Sequence, residues 1–113
     1  MSKFDDAVEK YWAANNDLKL GLTKTLITKV AKGLGPSIYN ADAETVAGSD
    51  PEELKTVKNN FLIKKLGLKD GPELDKAIDE VMNKLGTSNR SKYRPLVYGL
   101  LAKKFNKESV YDK

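Results

Sequence analysis

Asp70-Gly71-Pro72-Glu73-Leu74-Asp75-Lys76-Ala77-Ile78-Asp79-Glu80-Val81-Met82-Asn83-Lys84-Leu85-Gly86 decides the fold. Leu74, Ala77, Ile78, Val81, Met82 and Leu85 fall at i, i+3, i+4, i+7, i+8 and i+11, the spacing that lines one face of a helix, and the residues between them are polar or charged. Pro72 suits a first helical turn and Gly86 suits a C-terminal stop. The segment reads as an amphipathic helix that must bury its stripe against other elements.

The same periodicity extends in both directions. Upstream, Asp50 reads as an N-cap, Pro51 as the first helical residue, and Glu53 as the third, from where its carboxylate can return to the cap amide. Leu54, Val57, Phe61, Leu62 and Leu66 follow as one broad apolar face that Gly67 ends. Residues 33–50 break the pattern with three glycines and a proline, and hold one short expected helix over 41–47 with Asn40 as its cap. Before them, 22–32 stacks Leu22, Leu26, Ile27, Val30 and Ala31 and is expected to stop at Gly33. Residues 3–15 stack Phe4, Ala7, Val8, Tyr11 and Trp12 behind a Ser2 cap.

Downstream, 91–105 places Tyr93, Leu96, Val97, Leu100, Leu101 and Phe105 on a helix, and Pro95 must lie in or before its first turn. The polar stretch 106–113 is expected to fray. No segment alternates strictly for long enough to argue a strand. The expectation is an all-α, compact single-domain bundle of about five helices with one short extra helix, spanning 1–113.

The totals fit that reading and narrow the chemistry. A chain of 113 residues with 40% hydrophobic and 32% charged side chains suits one globular domain. It holds no apolar run of about 18 residues and no basic-then-apolar leader at its start, so a soluble cytoplasmic protein is expected. The lack of cysteine removes disulfides and thiolate chemistry and suits a reducing compartment. The lack of histidine removes the commonest general base and metal ligand. The net charge of +4 is uneven: residues 1–50 carry six basic and seven acidic side chains, residues 51–113 fourteen and nine. Both arginines, Arg90 and Arg94, lie in the basic C-terminal quarter.

Four constellations invite a functional reading. Gly33-Leu34-Gly35-Pro36-Ser37 lacks the Gly-Lys-Ser/Thr ending and preceding strand of a phosphate loop, and reads as a helix stop. The carboxylates of Asp42, Glu44, Asp50, Glu52 and Glu53 match no calcium-loop order and read as dipole-favourable residues at helix starts. Around 88–94, Asn89, Arg90, Lys92 and Arg94 stand where a helix start exposes amides, so an anion site is one reading. Capping by Ser88, Asn89 or Ser91, with Arg90 and Arg94 paired to Asp79 or Glu80, is the structural alternative and the favoured one. Finally, Lys103, Lys104 and Lys107 add to the arginines as a basic helical face, which reads first as a solvated surface and, as the alternative, as a site for weak nucleic-acid binding. Tyr39 and Asn40, in the irregular connection, complete the set of candidate partner-binding residues.

Gly35-Pro36-Ser37-Ile38-Tyr39-Asn40-Ala41-Asp42-Ala43-Glu44-Thr45-Val46, Asp50-Pro51-Glu52-Glu53-Leu54, Asn60-Phe61-Leu62, Lys64-Lys65-Leu66-Gly67-Leu68 and Ser88-Asn89-Arg90-Ser91-Lys92-Tyr93-Arg94 together resemble a family of short bacterial proteins known only as a domain of unknown function. Leu100-Leu101-Ala102-Lys103-Lys104-Phe105 extends the resemblance, which covers about residues 30–111. It implies a cytoplasmic bacterial helical protein and brings no activity, substrate or functional residue with it.

No spacing pairs a nucleophile with a base, and no cofactor or metal is called for. The function itself is not legible in the sequence. The favoured reading is a non-enzymatic module acting through a protein partner or a homodimer, with residues 33–50 and 88–94 as candidate surface. Nucleic acid at the basic helix and a small anion at 88–94 are the alternatives, and no membrane partner is expected.

Overall fold

The computed structural model describes residues 2–48, 50–86, 89 and 92–111, with the backbone alone for Ala41 and Asp42. Among these residues six α-helices form: α1 (Lys3–Asp17), α2 (Lys24–Leu34), α3 (Ala41–Glu44), α4 (Pro51–Thr56), α5 (Pro72–Leu85) and α6 (Arg94–Lys104). Gly35–Tyr39 and Glu108–Tyr111 are 3-10 turns, and Val57–Lys65 continues α4 as a wider π-type helix. The fold is all-α. Among the described residues, the only β-type pairing is an antiparallel bridge between Thr45 and Tyr93.

The centre of the molecule is α6. Residues 95–102 are all buried, as expected of a helix that is largely apolar around its circumference. Helices α1, α2, α3 and α5 pack around it. Gly99 allows one of these approaches, since a Cβ there would lie 3.1 Å from Leu22 Cδ1. On another side the Tyr98 ring stacks on Phe61 with centroids 4.0 Å apart, fastening the π-type segment to α6.

Helix α5 follows the sequence reading, with all six stripe residues buried and Gly86 closing it at φ +101°. The segment before it departs from a regular α-helix. Leu66 N–H donates to the Phe61 carbonyl at 2.9 Å, a five-residue step, and the buried residues Val57, Phe61, Leu62 and Leu66 recur at the wider spacing this pitch aligns. Gly67 still ends the segment, at φ +73°.

Several local expectations are corrected. Helix α2 runs through Gly33 and is closed by Gly35, whose φ of +65° suits a residue without a Cβ. Its N-cap is Thr23, whose hydroxyl accepts from Leu26 N–H, so Leu22 precedes the helix. Helix α1 extends to Asp17. Asn15, inside it, is buried because its amide pairs with both backbone groups of Leu22, at 3.0 and 3.1 Å. Asp50 caps α4 through the Glu52 amide, and Glu53 does not close a capping box because its carboxylate pairs with Arg94 instead. The short helix after Asn40 stops at Glu44, since Thr45 and Val46 turn away to bond Tyr93 and Lys92. After Asn106, where polarity argues for fraying, Val110 and Tyr111 pack against the core.

No helix among the described residues is long and apolar enough to cross a membrane.

Candidate functional site

Arg94 occupies the first turn of α6, where an exposed guanidinium would suit an anion. It is instead drawn inward. Nε donates to the Ala43 carbonyl at 2.7 Å, Nη1 to the Tyr98 hydroxyl at 3.1 Å, and Nη2 to the Thr45 carbonyl at 3.3 Å and to the Glu53 carboxylate. Burial works against its charge, but Glu53 and the Tyr98 hydroxyl outweigh that cost and hold its pKa above the usual arginine value. Four of its five N–H donor directions are thus committed to the protein. The expected pairing of Arg94 with Asp79 or Glu80 does not form, because its donors are taken by Glu53, Tyr98 and two carbonyls, and Glu80 pairs with Lys104.

Lys92 is also buried, and its ammonium donates to the Asn89 carbonyl. Its stem and Met82 both press on Gly48, where a Cβ would lie 3.0 Å from Lys92 Cε and 3.1 Å from Met82 Sδ. The Asn89 side chain donates to the Leu85 carbonyl at 2.9 Å, closing the end of α5. Tyr93 is the N-cap of α6 and supplies no side-chain cap. Arg90, with Ser88 and Ser91, lies outside the described residues. The described part of 88–94 therefore ties helices together, and its cations face the protein.

Tyr39 and Asn40 emerge elsewhere. Tyr39 is 50% exposed, the one large hydrophobic residue so placed among the described residues. Asn40 starts α3, its carbonyl accepting from the Ala43 and Glu44 amides. Beside Tyr39, Glu44 Oε2 accepts from Lys10 Nζ and from the Tyr11 hydroxyl, each at 2.6 Å. Burial first, and then this carboxylate, raise the Tyr11 pKa far above the tyrosine range. Lys10 also lies 5.1 Å from the centroid of Tyr93.

A different surface carries the charge. Three grooves of about 520, 230 and 440 Å³ adjoin, the first and second sharing Lys103 and the second and third sharing Lys29. Together they are lined by Lys29, Lys32, Lys65, Lys84, Lys103 and Lys104 against Glu80 and Glu108. Two further grooves are balanced: Lys3 and Lys10 against Asp6 and Glu44, and Lys55 and Lys58 against Asp75 and Asp79.

Within the lysine run, Lys103 Nζ donates to the Gly21 carbonyl at 3.0 Å, and Lys65 lies 4.9 Å from the centroid of Tyr111. Lys32 and Lys84 are exposed and pair with no carboxylate among the described residues. The sequence reading placed only Lys103 and Lys104 of this set on a candidate face. The basic face it drew on the last helix does not exist as a continuous face, because most of α6 is buried. The local signal within reach was Lys29 and Lys32, three residues apart on one face of α2.

No curated protein resembles the chain closely enough to count as a relative. A family model described as a protein of unknown function, DUF2853, matches residues 4–109, nearly the whole chain. The chain belongs to this DUF2853 family of proteins of unknown function.

Proposed function

We propose that the protein is a non-catalytic binding module whose working surface is the run of three lysine-lined grooves, and that the partner it takes there is anionic. One observation carries this reading: among the described residues, three adjoining grooves hold six lysines against two glutamates, while two further grooves are balanced. Concave surfaces of one sign focus the field and raise the local concentration of an oppositely charged partner. A reducing cytoplasm, which a chain without cysteine suits, holds abundant partners of that kind.

Retention on immobilised heparin tests the reading. The double variant Lys32→Glu/Lys84→Glu is expected to elute at clearly lower salt than the unsubstituted protein. Lys3→Glu/Lys55→Glu changes net charge equally at exposed positions outside the run and is expected to elute close to the unsubstituted protein. Equal losses in both pairs would show that net charge alone governs retention and would overturn the placement.

Exposed Tyr39, beside the Lys10–Glu44 pair, favours a second reading in which a protein partner docks at the irregular connection. Small-anion binding at 88–94 has less support, since Arg94 and Lys92 are already engaged within the protein.

A further inference from the structure

Resting on the groove reading above, we propose that the anionic partner is a nucleic acid, held by its phosphate backbone without base readout. The floor of the run argues against a protein occupant. A protein interface draws most of its energy from aromatic or aliphatic anchors at its centre. Here the apolar lining residues Leu20, Leu22, Val81 and Leu100 are buried, Leu26, Val110 and Tyr111 are partly buried against the core, and the half-exposed Tyr39 lies on a different groove. The most exposed groups along the run are ammonium groups on flexible stems, those of Lys32, Lys65, Lys84, Lys103 and Lys104. Lysine binds phosphate as a point charge, and its affinity for a polyanion comes from counterion release, which needs no shaped apolar contact.

Among the described residues the lining holds lysine and no arginine, which points the same way. Arginine's planar fork reads guanine edges, whereas lysine groups spaced along a groove follow a backbone. The run extends from the ends of α5 and α6, with Lys84, Lys103 and Lys104, to the end of α2 and the π-type segment, with Lys32 and Lys65. A single helix end would not provide such a track. Lys32 and Lys84, near its two extremes and without a carboxylate partner among the described residues, are exposed positions at which an incoming phosphate displaces no ion pair.

Fluorescence anisotropy of a labelled mixed-sequence oligonucleotide, with polyglutamate of equal charge measured in parallel, tests the inference. Binding is expected with a Kd of about 10 µM at low salt, and a log–log salt slope of about −2 to −4, reflecting two to four neutralised phosphates. Lys32→Glu/Lys84→Glu should weaken it at least tenfold, and Lys32→Gln/Lys84→Gln should weaken it less while leaving the helix ends undisturbed. Oligonucleotides of different sequence should bind alike. Polyglutamate binding without oligonucleotide binding would overturn the inference and leave the groove reading standing. Binding of neither would overturn both. Oligonucleotide binding that the Lys32/Lys84 variants do not weaken would overturn the placement, and a strong preference for one sequence would overturn backbone recognition.

Discussion

Arg94, in the first turn of α6, forms an ion pair with Glu53, in the first turn of α4, across 41 positions of sequence. The same guanidinium holds the carbonyls of Ala43 and Thr45, so one side chain fixes the end of α3, the start of α4 and the central helix together. Its side chain is 12% exposed and that of Glu53 24%, so the pair is largely shielded from water.

Arg94→Ala should therefore destabilise the fold by about 3 kcal/mol, mostly by leaving a carboxylate and two carbonyls without their partner. Arg94→Lys should recover less than half of that, since an ammonium cannot span the same acceptors. Urea unfolding followed by circular dichroism measures both, and a loss below about 0.5 kcal/mol in Arg94→Ala would reduce the pair to a surface contact.

Tyr11 confers an alkaline limit on stability. Its folded pKa is raised, by burial and by the Glu44 carboxylate, so the folded state keeps a proton that the unfolded chain releases near the ordinary tyrosine value of about 10. The contribution is fully present below about pH 10 and is lost as the pH rises beyond it. Tyr11→Phe should cost about 1 kcal/mol at neutral pH, through the lost hydrogen bond, and should flatten the decline above pH 10. Stability measured from pH 8 to 11.5 checks both, and an unchanged slope in Tyr11→Phe would assign the alkaline loss to other groups.

Gly33 and Gly35 should respond in opposite directions. Gly33 is helical, and an added Cβ would lie at ordinary contact distance, 3.5 Å, from Tyr111 Cε1. Gly33→Ala is expected to stabilise by up to about 1 kcal/mol. Gly35, at φ +65° and ψ −145°, holds a conformation nearly confined to glycine, so Gly35→Ala should cost about 2 kcal/mol. Thermal unfolding of the two variants separates them, and the reverse order would restore Gly33 as the helix stop.

What the sequence revealed follows the range of the physics involved. The α5 stripe and its Gly86 stop are set by neighbours within a few residues, and both appear as read. The widening after Thr56 was not legible, because Val57, Phe61, Leu62 and Leu66 suit an α-helical stripe as well as the wider pitch. The capping box failed for a tertiary reason: Glu53 had a better partner 41 positions away. The lysine run was not legible for the same reason. Its six lysines come from α2, the π-type segment, α5 and α6, and only packing around the buried α6 places them along one run.

The central claim is that the lysine-lined grooves are the working surface, and the most direct test is a two-dimensional amide NMR titration of the labelled protein with a mixed-sequence oligonucleotide at low salt. Perturbations are expected to concentrate near Lys29, Lys32, Lys84 and Lys103, with Tyr39 and Lys55 unmoved. Perturbations centred on Tyr39 and Lys10, or a spectrum unchanged at saturating oligonucleotide, would contradict the claim.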